Sequence, residues 1–381
     1  MRTTGDQQLL KRINRSVLLR LLRRQPGLSR ARLAQQSGLT KSTVSALVRE
    51  LLEERWLSEA DAPVAADGLG RPSTPLHVNA QDRALIGVEV GVQQLRVVTV
   101  SLVGRVLDAL QEPLAATDAP AVCRQVTALV HQAWQTLAAQ GLELSGVGVC
   151  LPGAVDEAAG LVRFAPNLGW RDTPFFAMLQ QALQAAGVPA ASLYLHNDAD
   201  AGALGEYEFT EHAAAQALVF VSCDVGVGAG VVLNDHLFTG ARGMAGEIGH
   251  SVLEVGGPLC SCGRRGCAEA FIGARALAGA GGVQRGGEAL GVLIQNLDVM
   301  FNPHSLVVGG ASCAQHPALL ETARQVAAGY ARAAGVPTPS VRAAHYGILA
   351  AAVGAAASAW HHALRPLRPR QDSTLTLPET A

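Results

Sequence analysis

Residues 243–269 read GMAGEIGHSVLEVGGPLCSCGRRGCAE. Within them His250, Cys260, Cys262 and Cys267 offer one imidazole and three thiolates, and three of the chain's seven cysteines fall inside eight residues. Four soft or borderline donors, with no obvious open position, suit a closed tetrahedral Zn²⁺ site, one ion per chain and structural in kind. Gly263 and Gly266 let the backbone fold tightly around such an ion. An odd cysteine count with this spacing speaks for metal ligation in a reducing cytosol, not for a disulfide framework. Cys123, Cys150, Cys223 and Cys313 stand alone in apolar surroundings and read as small core hydrophobes.

A second chemistry sits at the other end of the chain. Residues 1–77 carry a net charge of +6 and the remainder −7, although the whole chain is at −1. A basic head on a mildly acidic body suggests a module for a polyanion. Lys41, Ser42, Thr43, Ser45 and Arg49 place short polar groups and cations at the start and along the outer face of one helix. That is what reading base edges and phosphates in a major groove requires. Arg71, in GRPSTPLHVN, is suited to a minor groove or to phosphate.

The elements that must hold these side chains follow from periodicity. Leu10, Ile13, Val17, Leu18, Leu21 and Leu22 recur at helical spacing over 7–24, and Pro26-Gly27 end that helix. Ser29 caps a short second helix that stops at Gly38, and Thr40 caps a third with Val44, Leu47, Val48, Leu51 and Leu52 inside. Two short helices across a tight turn after a longer one form a helix-turn-helix. Trp56-Leu57, a polar stretch and residues 70–79 add a wing hairpin. The winged head therefore spans 1–79.

From residue 80 the pattern becomes α/β. Strands are expected at ALIGVEVG, LRVVTVSLVG, RVLDALQEPL, GVGVCLPG, SLYLHNDA, in a pair around GVGAG, and at 306–312. Helices are expected at 119–140, 174–187, 286–301, 316–334 and 345–362. The body spans 80–364, and residues 365–381 read as a disordered tail. No apolar run is long enough to cross a membrane as a helix, and no signal peptide opens the chain, so the sequence points to the cytoplasm.

GMAGEIGH, CSCGRRGCAE, HNDADAGALGE and the strand pair around GVGAG together resemble the ROK family of repressors, open reading frames and kinases. The resemblance covers residues 10–362. It implies an actin/hexokinase-like duplicated α/β fold, two lobes around a sugar cleft, a structural zinc, and homodimers or homotetramers. The helix-turn-helix places the chain with the sugar-responsive repressors of that family, whose partners are operator DNA and a monosaccharide. The positions matching the family's sugar residues are Asn167, Asn197, Asp198, Glu247, His250 and Glu269. All carry types that pair with hydroxyls. Asp198 matches the base of the family's kinases, and His250 has one ring nitrogen for zinc and one for a hydroxyl.

The phosphate loops depart from the kinase pattern. Where family kinases carry Asp-x-Gly-Gly-Thr this chain has Glu89-Val90-Gly91-Val92-Gln93, and where they carry Gly-Thr-Gly it has Asp224-Val225-Gly226. Val92 adds bulk, Gln93 and Val225 replace threonine, and Asp224 adds an anion. Phosphoryl transfer depends on phosphate positioning and charge neutralisation. The expectation is therefore a DNA-binding regulator without catalytic residues. The alternative is an ATP-dependent sugar kinase with a fused DNA-binding head.

Overall fold

The computed structural model describes residues 7–60, 74–189, 192–210, 217–241 and 243–366. Arg71, the wing tip and residues 367–381 of the expected tail lie outside them. The head opens with α1 (Gln7–Arg24), α2 (Arg30–Ser37) and α3 (Lys41–Glu53). Ser29 Oγ accepts the Arg32 N–H at 3.3 Å and Thr40 Oγ1 accepts the Thr43 N–H at 3.2 Å, so both expected caps are made. Leu18, Leu22, Leu33, Val44, Val48 and Leu51 are buried between the helices. Leu10, expected inside, is 53% exposed, and Leu19 is buried instead. The first turns of α1 meet α3 through ions, Lys11 to Glu50 at 2.8 Å and Arg15 to Glu54, rather than through an apolar face. Strands β1 (Leu57–Glu59) and β2 (Leu76–Val78) pair antiparallel as the base of the wing.

The first lobe contains β3 (Arg83–Val90), β4 (Gln94–Ser101), β5 (Val106–Pro113), α4 (Ala119–Ala139) and β6 (Glu143–Leu151). A small antiparallel sheet follows, β7 (Ala154–Asp156), β8 (Leu161–Ala165) and β9 (Trp170–Thr173), then α5 (Phe175–Ala185) and β10 (Leu193–Asn197). The second lobe contains α6 (Asp198–Phe209), β11 (Ala217–Cys223), β12 (Val227–Leu233), β13 (His236–Leu237), α7 (Glu269–Ile272), α8 (Ala274–Leu277) and α9 (Gly282–Phe301). It continues with β14 (Ser305–Gly309), α10 (Ala311–Gln315), α11 (Pro317–Ala334), β15 (Val341–Ala343) and α12 (Ala350–Ala363).

The two main sheets run β5-β4-β3-β6-β10 and β13-β12-β11-β14-β15. Each reads third, second, first, fourth, fifth in its own chain order. The first three strands are antiparallel and the last two parallel. One topology used twice is the duplicated α/β body that the sequence leads one to expect.

Helix α9 begins at Gly282, four residues before the sequence reading, and three further boundaries that differ lie near the site. The strand through SLYLHNDA stops at Asn197, because the Asn197 side chain caps α6 and turns Asp198 and Ala199 into its first residues. Strand β14 stops at Gly309, where 311–315 already form α10 and the Ser312 hydroxyl donates to the Asp224 carbonyl at 3.3 Å. The alanine-rich helix begins at Ala350, after a 3-10 turn over Gly347–Leu349.

Helix α12 is the keystone. It packs on β3 and β6 of one lobe and on α6 of the other, and the α6 crossing is backbone to backbone. A Cβ on Gly354 would lie 1.8 Å from the Ala201 carbonyl oxygen. The far end of α12 also reaches the head, with Trp360 stacked on Trp56 at 5.7 Å. One apolar cluster joins Leu18, Val48, Leu57 and Leu76 of the head to Val98, Ala352, Trp360 and Leu364 of the body. Arg365, assigned by the sequence to the tail, is 5% exposed and belongs to this junction, because Asp235 and Glu208 fix its guanidinium.

Candidate functional site

The GEIGH segment lies directly on β12. Gly246 has φ +89, its carbonyl accepts the Ala229 N–H at 2.8 Å, and a Cβ there would lie 1.9 Å from the Ala229 oxygen. The following 3-10 turn, Ile248–His250, turns His250 toward the cysteine loop. His250, Cys260, Cys262 and Cys267 all bring a ligand atom within 4.8 Å of one another. His250 Nδ1 is 3.7 Å from Cys260 Sγ, and Cys262 Sγ is 3.8 Å from Cys267 Sγ. With Zn–S near 2.3 Å and Zn–N near 2.1 Å, ligand atoms on a tetrahedral ion stand roughly 3.6–3.8 Å apart. The four residues therefore fit a zinc ion as they stand. The backbone N–H of Arg264 pulls the exposed Cys262 thiol down to about 6, toward the thiolate a metal takes.

Next to this cluster, Glu269 opens α7. Its Oε1 accepts the Ser261 hydroxyl at 2.6 Å and its Oε2 faces the Val227 N–H at 3.4 Å. Asp198 opens α6. Burial pushes its carboxyl up to about 7, and the charges of Glu89, Asp224 and Glu247 add to the rise. Burial also raises Glu247, opposed by the neighbouring His250 and reinforced by Glu269. Asp198, Glu247, His250 and Glu269 thus share one electrostatic neighbourhood. Asn197 is tied up differently. Its Oδ1 accepts the N–H groups of Ala199 at 2.8 Å and Asp200 at 3.3 Å, and its Nδ2 donates to the Gly153 carbonyl at 2.9 Å. Asn167 stands exposed in the turn between β8 and β9, and no hydrogen bond joins it to the other five among the described residues.

Glu89, Asp198, Asp224, Ser222 and Gly310 line a pocket of about 20 Å³ beside the loops that depart from the kinase pattern. That is room for about one water molecule. Burial pushes Glu89 up to about 7, and the Arg96 guanidinium, 2.8 Å from its Oε1, pulls the other way. Asp224 is raised too, by burial. Three carboxyls around one arginine make a poor cradle for further anions.

The polar cluster at the other end of α6 escaped the sequence reading. Arg23 of α1 pairs with the buried Glu208 and donates to the carbonyls of Glu208 at 3.0 Å and Tyr207 at 3.3 Å, the last turn of α6. Glu208 also receives His361 Nδ1 at 2.7 Å and Arg365 Nη1 at 2.9 Å. Arg23 and Arg365 beside it hold its carboxyl far below the usual range against its burial. Asp235 bonds Arg365, Arg20 and the Tyr207 hydroxyl. No short motif marks this set, because its members come from α1, α6, the β12–β13 turn and the end of α12.

On the head, Lys41, Ser45 and Arg49 lie one turn apart on the exposed face of α3, with Ser42 beside them. Thr43 is half-buried, and its hydroxyl and that of Ser42 each lie 2.9 Å from Thr40 Oγ1. Among the described residues, no helix is long and apolar enough to cross a membrane.

The ROK family model matches residues 85–285, and the IclR helix-turn-helix domain matches residues 16–61. The xylose repressor of Bacillus subtilis (strain 168) is 29% identical over 347 residues, 84% of this chain and 88% of that protein. The xylose repressor of Caldicellulosiruptor bescii is 31% identical, covering 72% of this chain and 67% of that protein. The fold matches the crystal structure of a ROK family transcriptional regulator, a homologue of the E. coli MLC protein. The TM-score is 0.71 and the identity 22%, over 93% of this chain and 98% of that one.

Proposed function

Since the chain belongs to the ROK family, we propose that it is a sugar-responsive, DNA-binding transcription repressor of the cytoplasm that does not phosphorylate its sugar. A monosaccharide enters between the lobes. Asp198 and Glu247 accept its hydroxyls, with Glu269, Asn197 and Asn167 around the ring. Asn197 has one amide hydrogen left after its capping duties, and Asn167 reaches the ring only if β8 and β9 close on it. His250, Cys260, Cys262 and Cys267 would hold a zinc ion, whose contribution is to lock the loop and orient His250. With Nδ1 turned to the cysteines, Nε2 of His250 is left for a hydroxyl.

In the head, Lys41, Ser42, Thr43, Ser45 and Arg49 face the major groove, and Arg71 extends the footprint from the wing. A homodimer or homotetramer brings two heads to one operator.

The observation that carries this reading is helix α6. Its first residue, Asp198, lines a pocket with Glu89 and Asp224, and its last turn, at Tyr207 and Glu208, is gripped by Arg23 of the N-terminal head. A ligand shifts the head only if it binds one arrangement better than another, and a rigid helix with one end in each place supplies that difference. The acidic, narrow phosphate pocket supports the absence of kinase activity.

The test is operator binding by the full-length protein with D-xylose, D-glucose or N-acetyl-D-glucosamine, beside an ADP-release assay with the same sugars. One sugar should change operator affinity with no ADP formed. Sugar-dependent ADP production would favour the kinase reading. Unchanged operator affinity with every sugar that raises the melting temperature would remove the sugar response.

A further inference from the structure

A second set of ligand types lies away from the cysteine loop. Glu157, just after β7, His196 on β10 and His362 in the last turn of α12 bring one carboxylate oxygen and a nitrogen from each ring within 4.8 Å of one another. His196 is fully buried. Its Nδ1 lies 2.7 Å from Glu157 Oε1, and its Nε2 has no hydrogen-bond partner among the described residues. The rings of His196 and His362 are 5.8 Å apart between centres and 18° from parallel. With metal–nitrogen bonds near 2.1 Å, two imidazoles on one ion have centres roughly 5–5.5 Å apart. A small approach of the last turn of α12 closes that gap. Tyr194, two residues before His196 on the same face of β10, stacks on His362 at 4.3 Å and 3°, which fixes the plane of that ring.

We propose that Glu157, His196 and His362 form a second metal site, for a first-row divalent transition ion such as Zn²⁺, clamping the end of α12 to the edge strand of the first lobe. Two imidazoles and one carboxylate favour Zn²⁺, Co²⁺ or Ni²⁺ over Mg²⁺ or Ca²⁺, which take oxygen ligands. An ion between His196 Nδ1 and Glu157 Oε1 would take the place of the hydrogen bond that joins them. A cation beside Glu157 also relieves its repulsion of the buried Asp200, whose Oδ1 lacks a partner. The clamp sits one residue from His361, which holds Glu208, so it braces the platform on which the head rests. It shares no residue with the sugar cleft or the cysteine cluster and stands apart from the sugar-responsive reading.

Metal analysis of the full chain, loaded with Zn²⁺ and desalted, tests it. The wild type should hold two ions, and one should remain in Cys262→Ser. His362→Phe keeps the stack on Tyr194 and Glu157→Gln keeps a partner for His196. Each should lose the ion that Cys262→Ser retains. Co²⁺ bound to Cys262→Ser should show d–d bands without thiolate-to-metal charge transfer. A wild-type chain with one ion that vanishes in Cys262→Ser overturns the proposal. So do two ions retained by both His362→Phe and Glu157→Gln.

Discussion

Arg23→Ala removes the grip of the head on helix α6 while leaving the cleft and the operator-facing residues intact. The lost contacts are the ion pair to Glu208 and the two hydrogen bonds to the carbonyls of Tyr207 and Glu208. Hydrogen bonds to charged groups contribute ~1.5–3 kcal/mol, and stripping a buried ion of its partner costs ~3–5 kcal/mol. Glu208 keeps Arg365 and His361, so the loss falls toward the lower figures, at ~2–3 kcal/mol. With ~1.4 kcal/mol per factor of ten, the ratio of docked to undocked head falls ~30- to 150-fold. Fluorescence-anisotropy titration of labelled operator, with and without the responsive sugar, reads the consequence. Sugar affinity should stay within ~2-fold, and the sugar's effect on operator affinity should shrink toward none, because the body no longer reports to the head. Arg23→Lys, which keeps a charge to pair with Glu208, should fall between. A variant that keeps the full wild-type sugar effect would refute the route through α6.

Lys41→Ala should weaken binding to all DNA sequences alike and lower the slope of log affinity against log salt by ~1, seen in titrations at several salt concentrations. Asp198→Asn preserves size but not the anionic acceptor, and calorimetry should show sugar affinity reduced by ~1.5–3 kcal/mol. Glu89 and Asp198 are both pushed up to about 7, so the folded chain keeps protons that the unfolded chain gives up near pH 4.5 for Glu89 and 3.8 for Asp198. Stability should therefore fall as pH rises from about 5 to 8, by up to ~3 kcal/mol for the buried Glu89. Thermal melts across that range should show the slope, and Glu89→Gln should flatten it.

The head was legible because its signals are local. Ser29 and Thr40 cap helices they immediately precede, and Val44, Leu47, Val48 and Leu51 repeat within one helix. The Cys/His cluster was legible for the same reason, its four residues falling within eighteen. Leu10 misled because amphipathic spacing cannot tell a helix end that meets an apolar neighbour from one that meets Glu50 and Glu54. The α6 boundary was missed because no Gly or Pro separates the apolar strand SLYL from HNDA, and only the Asn197 amide, turning back to cap, ends the strand there. Arg23, Glu208, Asp235 and Arg365 were silent because more than three hundred residues of chain separate the first from the last. Only the packing of α12 brings them together. Arg365 in particular lies in a run of prolines and arginines that composition assigns to a tail.

The Trp56–Trp360 stack has a spectroscopic consequence. The chain has four tryptophans, and this pair straddles the boundary between head and body with planes 11° apart. Indoles so close share excited states, so the near-ultraviolet dichroism and emission of this pair depend on the separation and tilt of the two segments that carry them. Arg83, whose guanidinium lies 4.3 Å above the Trp56 ring, makes that emission sensitive to charge as well. The protein thus carries an intrinsic optical gauge of the junction between head and body, readable in unlabelled solution while a ligand is titrated.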